Sequence, residues 1–182
     1  MDTLGKERGI ARPIRVLGDP VLRTECDPVR SFDANLMRLI EDMFVSMEAA
    51  EGVGLAANQI GVSQRVFVYD CEDDEGRRHV GHVVNPVLVV EDGETTVAEE
   101  GCLSLPGLHF PTPRAGHAIV EGVDMNGAPL RIEGTGYFAR CLQHETYHLG
   151  GKVYTDVLSG DTRKEALRAI RSAQWSPANQ SS

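Results

Sequence analysis

His144-Glu145-Thr146-Tyr147-His148 sets two imidazoles four residues apart with a carboxylate beside the first. On a helix, residues four apart are rotated by roughly 40° and offset by roughly 6 Å, so both rings point to one side and can share a metal ion. Glu145 then sits on the adjacent flank, where it can take a proton from water without entering the coordination sphere. With 6 histidines in the chain, a chance occurrence has odds of roughly one or two in a hundred, so the pattern points to a metal.

Two histidines do not complete an open catalytic site, which needs three protein ligands. The metzincin pattern continues with Gly151 in place but puts Tyr154 where its third histidine belongs. A peptidase using a downstream glutamate could call on Glu165, yet that residue lies among Arg163, Lys164 and Arg168, as on a solvated helix face. His79, His82, His109, His117 and the cysteines remain as candidates. Cys102 has the most suggestive surroundings, in the Gly- and Pro-punctuated stretch EGCLSLPG, where a strand gives way to a loop. On spacing alone it is as readily a buried filler as a ligand.

A further segment, GVGLAANQIG at 52–61, combines small residues that admit close backbone approach with the uncharged amide of Gln59. A helix stop followed by tight packing explains its glycines equally well.

These groups need a scaffold. Asp33 is a plausible N-cap for a helix of about five turns, in which Leu36, Leu39, Ile40, Met43, Met47 and Ala50 recur at helical spacing until Gly52. Strand-type segments follow at 65–70, 80–84, 87–91, 95–99, 117–124 and 129–133. Asp92-Gly93 and Asn126-Gly127 predict tight hairpins, hence antiparallel pairing. A second helix spans 136–149, carries the histidines and stops at Gly150-Gly151, and a third covers 162–173. Helices at both ends with strands between them read as an α+β domain.

The 182 residues predict one domain over 1–175, able to bury about 70% of its unfolded surface, with 176–182 as a frayed tail. No apolar run approaches a membrane span, and the opening MDTLGKERGIARP contains neither a signal-type apolar segment nor an acid-free stretch of transit type. Cys26, Cys71, Cys102 and Cys141 form no close pair and are expected as reduced thiols in a cytosolic protein. The 18 basic and 27 acidic residues give a net charge of −9, which argues against bulk nucleic-acid binding.

Taken together and in order, GVGLAANQIG, EGCLSLPG and QHETYH resemble peptide deformylase. RPIRVLGDPVLR near the start, the pair Asn85-Pro86 and the stretch DMNGAPLRIEGTGYFARCLQHE are similar to that family too, so the resemblance covers 14–158. It implies antiparallel sheets packed around a central helix that carries the histidines, with a long N-terminal helix and a C-terminal helix. It also implies Cys102, His144 and His148 as ligands of one divalent metal ion, Fe2+ in the cell with Zn2+, Ni2+ or Co2+ able to replace it. The implied reaction is hydrolysis of the N-formyl group from the initiator methionine of nascent polypeptides in the bacterial cytoplasm. Glu145 would be general base, Gln59 and the Leu103 N–H would stabilise the oxyanion, and Val53, Tyr137 and Cys141 would receive the methionine side chain. Backbone at Gly54 and Glu100 would pair with the extended peptide. A general zinc peptidase, or a deformylase paralogue that binds formyl-peptides or inhibitors without turnover, is the alternative.

One position departs from the family signature, which has Asp before the second histidine where this chain has Tyr147. The expectation is an active enzyme with altered metal retention or substrate range. Between Thr162 and Arg171 four basic residues face one acidic. The resemblance implies ribosome docking through that helix, against the plainer reading of a solvated surface.

Overall fold

The computed structural model describes residues 9–180. Its elements run α1 (Ala34–Ala49), β1 (Gly54–Ala56), β2 (Val66–Glu72), β3 (Arg78–Asp92), β4 (Thr96–Gly101), β5 (His109–Arg114), β6 (His117–Val123), β7 (Pro129–Thr135), α2 (Gly136–Leu149) and α3 (Gly160–Ser172). Short 3-10 turns, among them Ala57–Ile60 and Tyr154–Val157, link several of them.

The Asp33 carboxylate caps α1 by accepting from the Asn35 and Leu36 amides, as its residue type and position predict. Leu36, Leu39, Ile40, Met43 and Met47 are buried on one face. A buried side chain of this kind contributes about 1.5–3 kcal/mol. The helix ends at Ala49, three residues before Gly52, with Glu51 at φ 57.

β1-β2-β3-β6-β7 form a five-stranded sheet and β4-β5 a separate pair, every pairing antiparallel. The segments expected at 80–84 and 87–91 are one strand, β3, bulged between Val84 and Val87. Asn85 occupies that bulge at φ 52, and its side chain exchanges two hydrogen bonds with the Val29 backbone. Asn126-Gly127 does turn β6 into β7, with Gly127 at φ 83.

The hairpin expected at Asp92-Gly93 does not form. β3 pairs with β6, and β4 pairs with β5. The Thr96 and Ala98 carbonyls accept hydrogen bonds from the Arg140 guanidinium on α2, so β4 is anchored to that helix instead. β5 escapes a pattern reading because its sequence, HFPTPR, contains two prolines. They sit two apart, where missing N–H groups can face the open edge of a two-stranded sheet.

α2 is buried on nearly every side: Phe138, Ala139, Cys141, Leu142 and Leu149 as well as Arg140, Gln143, Glu145 and His148 are inside. It touches β1, β2, β3, β6 and β7, so the sheets pack around the helix that carries the histidines. A separate apolar cluster, with Leu105, Phe110, Tyr154, Leu158 and Ala166 at its centre, joins α3 to the Cys102 loop.

Within the segment expected as a tail, Pro177–Asn179 form a short 3-10 turn. Ser176 is buried, and the Asn179 amide donates to the Arg171 and Ala173 carbonyls. The last two residues of that expected tail, and the first eight of the chain, lie outside the described residues. Among the described residues no helix is long and apolar enough to cross a membrane.

Candidate metal centre

Two elements deliver three donors to one point. α2 presents His144 and His148 from successive turns, and the strand-to-loop exit of β4 presents Cys102. The His144 and His148 Nε2 atoms are 3.1 Å apart, and Cys102 Sγ is 3.3 Å from His148 Nε2. All three donor atoms lie within 4.8 Å of one another. Donors of a tetrahedral zinc-type site, at roughly 2.0–2.3 Å from the ion, are themselves roughly 3.3–3.6 Å apart. A thiol and two imidazoles at this spacing therefore fit a single divalent ion.

The surroundings favour positive charge there. His144 donates through Nδ1 to Glu100 Oε1 at 2.6 Å, which leaves its Nε2 for the ion. Although burial opposes charge on His144, the Cys102 sulfur and the Glu100 carboxylate pull the ring well above the usual histidine range. The same field would stabilise a cation in the proton's stead. His148 is held well below that range, first by burial and then by its histidine neighbour, so its ring is neutral, the form in which an imidazole can bind a metal.

Glu145 lies beside the donors rather than among them, with Oε1 4.0 Å from His144 Nε2. Burial pushes its carboxyl up to about 7, near the operating pH of a general base. Its Oε2 is buried without a hydrogen-bond partner. An ideal Cβ built on Gly54 would sit 2.6 Å from Glu145 Oε1, so the glycine in GVGL makes room for the carboxylate. Gly52 does the same for the Leu103 side chain, with an ideal Cβ 2.7 Å from Cδ1.

Gln59 sits in the 3-10 turn Ala57–Ile60 and is buried. Its Oε1 accepts from the Ala56 amide at 3.0 Å, which turns Nε2 toward Ser104 Oγ at 3.1 Å and Cys102 Sγ at 3.6 Å. Next to it, Asn58 donates to the His148 carbonyl at 2.7 Å and ties the turn to the end of α2.

The donors open onto a cleft of about 700 Å³ lined by Val53, Gly54, Glu100, Leu103, Tyr137 and Cys141 together with Gln59 and Glu145. All the site residues expected from sequence thus meet at one cleft, with His148 buried behind it. The other histidines do not join them. His79 stacks on Phe138 and bonds Asp73, His82 accepts from the Met125 amide, and His117 lies between Asp92 and Glu133. His109 borders the cleft but is outside the donor cluster. Glu165 is exposed on α3, and Tyr154 packs on the His144 ring, with centroids 6.1 Å apart.

Sequence reasoning missed the groups that hold His144. Glu100, expected to act through its backbone, also receives Arg114 on its carboxylate at 2.6 and 3.1 Å and Arg140 at 3.2 Å. Against the cost of burial, hydrogen bonds from His144 and Arg114 hold that carboxyl down at about 2. No local spacing marks Arg114 or Arg140, which reach Glu100 from β5 and α2.

An α+β fold with antiparallel sheets around a buried HExxH helix, and a cysteine completing the donor set, defines a metal-dependent hydrolase. A family model, polypeptide deformylase, matches residues 11–164. The chain is 56% identical over 168 residues to peptide deformylase 2 of Streptomyces avermitilis, covering 92% of this chain and 90% of that one. It is 54% identical over 175 residues to a peptide deformylase of Mycobacterium sp. strain JLS, covering 90% and 89%. Among solved structures, the peptide deformylase of Thermus thermophilus superposes with a TM-score of 0.79 at 44% identity, covering 88% of this chain and 93% of that one. The chain belongs to the peptide deformylase family, metal-dependent enzymes that remove the N-formyl group from nascent polypeptides.

Proposed function

We propose that Cys102, His144 and His148 hold one divalent ion, Fe2+ in the cell with Zn2+, Ni2+ or Co2+ as substitutes, and that Glu145 uses this centre to hydrolyse the formyl amide of formyl-methionyl peptides in the cytoplasm. The observation that carries the reading is the convergence of those three donors beside a carboxyl that burial raises to about 7. When bound, the ion supplies Lewis acidity that polarises the formyl oxygen and makes water a stronger acid.

The protein's own groups do the rest. Glu145 takes the proton of the attacking water, holds it because its affinity is near neutral, and passes it to the departing amine. Formate and a peptide with a free N-terminal methionine leave. Negative charge developing on the formyl oxygen meets the Gln59 amide, already oriented by Ala56, and the Leu103 N–H. Losing one such donor costs about 10²–10³ in rate.

Gly54 lies on the edge strand β1 and Glu100 on β4, strands of two different sheets that border the same cleft. Their backbones therefore suit an extended peptide laid between them. Val53, Tyr137 and Cys141, which line the cleft, would receive the methionine side chain. The exposed cations Arg163, Lys164, Arg168 and Arg171 on α3 support a finer reading, in which the enzyme works docked on ribosomal RNA.

The test is formate release from formyl-Met-Ala-Ser by the Fe2+-loaded protein under anaerobic conditions. Turnover that disappears with the metal is the expected result. Binding of the peptide without formate would replace the reading with a non-catalytic one.

A further inference from the structure

Tyr147 follows His144 by one turn of α2. The Arg114 guanidinium lies 5.2 Å from the centroid of its ring, inside the range at which a cation is attracted to an aromatic face. Arg114 is only 2% exposed at its side chain, and a buried charge must be compensated. Its ion-pair partner, Glu100, is shared: the two carboxylate oxygens also serve Arg140 and His144. One carboxylate thus answers two guanidinium groups, and the Tyr147 π face supplies what Glu100 alone does not. On its outer side the Tyr147 hydroxyl donates to Glu91 Oε1 at 2.7 Å, which pins the ring to the end of β3.

We propose that Tyr147 is a positioning residue for the metal ligand His144: its ring caps Arg114, Arg114 fixes Glu100 through two hydrogen bonds, and Glu100 sets the tautomer and orientation of the His144 ring. The proposal rests on the metal reading of the site. An aspartate, the family residue at this position, would draw Arg114 by charge and divide it between two carboxylates. The neutral ring leaves the guanidinium to Glu100 and holds it by its face instead.

The ring, not the hydroxyl, carries the effect, and that separates this role from simple surface packing. Tyr147→Phe keeps the face and loses the Glu91 bond. Tyr147→Leu keeps apolar bulk and loses both. Wild type and both variants are loaded with Co2+, the visible spectrum of the thiolate-imidazole site is recorded, and loss of the ion to excess chelator is timed. Outer partners of metal-bound histidines are worth about 10- to 100-fold in metal affinity. The leucine variant is therefore expected to release Co2+ at least about tenfold faster, with shifted Co2+ bands, while the phenylalanine variant stays within about threefold of wild type. A leucine variant that releases the ion no more than about threefold faster, or a phenylalanine variant that exceeds about threefold, overturns the proposal. Should the leucine variant fail to fold, the phenylalanine rate decides alone on that limit. Formate release by the wild type is measured alongside. Its absence would remove the deformylase reading, while the Co2+ comparison would still judge Tyr147.

Discussion

At the residue scale the site consists of a spacing anyone can read and contacts no spacing reveals. His144 and His148 are legible because four residues on a helix fix their geometry, and Glu145 because it lies between them. Cys102 is only one of several possible ligands on spacing alone, since it arrives from the end of a strand and not from the helix; the family pattern singles it out. Glu100 as the anchor of His144, with Arg114 and Arg140 behind it, is invisible in the sequence, because those partners meet only once β4, β5 and α2 are packed. The glycines of GVGL are ambiguous between packing and function, and the structure joins the two readings. The room that Gly54 leaves is occupied by the Glu145 carboxylate, so Gly54→Ala is expected to displace Glu145 and leave the donor cluster untouched. A displacement of about 1 Å is worth about 100-fold in rate. The expected result is a kcat loss of about that size at unchanged metal content, measured by formate release and metal analysis of the same preparation.

At the element scale the helices are legible in the sequence, α1 from its cap and apolar stripe and α2 from its glycine stop. The sheet is less so, and for definite reasons. A bulge at Asn85 makes one strand look like two, prolines conceal β5, and Arg140 draws β4 away from the neighbour that its turn residues indicate. One contact also ties the sheet together across β3, β6 and β7. His117 at the start of β6 meets Asp92 at 2.6 Å and Glu133 at 2.7 Å. Asp92 first, then Glu133, raises the His117 affinity for its proton above the ordinary value of 6.5. Because the folded state binds this proton more tightly, the clasp stabilises fully below 6.5 and its contribution fades as pH rises through the raised value. The difference in Tm between wild type and His117→Gln should therefore be largest below pH 6.5 and shrink as pH rises above it. A difference that grew with pH would contradict the assignment. The group is exposed, so the effect is small and screened by salt.

At the scale of the whole molecule the charge is uneven. A chain of −9 is repelled by phosphate backbones, yet Arg163, Lys164, Arg168 and Arg171 lie exposed on one short helix. Beneath that helix the cluster around Leu105 and Tyr154 leads to the loop of Cys102, so a contact made at α3 would sit close behind the catalytic cleft. Cosedimentation with ribosomes should weaken as salt rises and be lost when the four cations are reversed. Cosedimentation unaffected by the reversal would eliminate α3 as the docking surface. The proposed chemistry has one ion held by Cys102, His144 and His148 serving a base, Glu145, that is not itself a ligand. Formate released per bound metal ion by Glu145→Gln, measured beside the wild type, tests this. Both proteins should bind one ion per chain, with formate release lowered by about 10²–10⁴ in the variant; loss of the ion from the variant, or turnover at the wild-type rate, would rule out Glu145 as a base outside the coordination sphere.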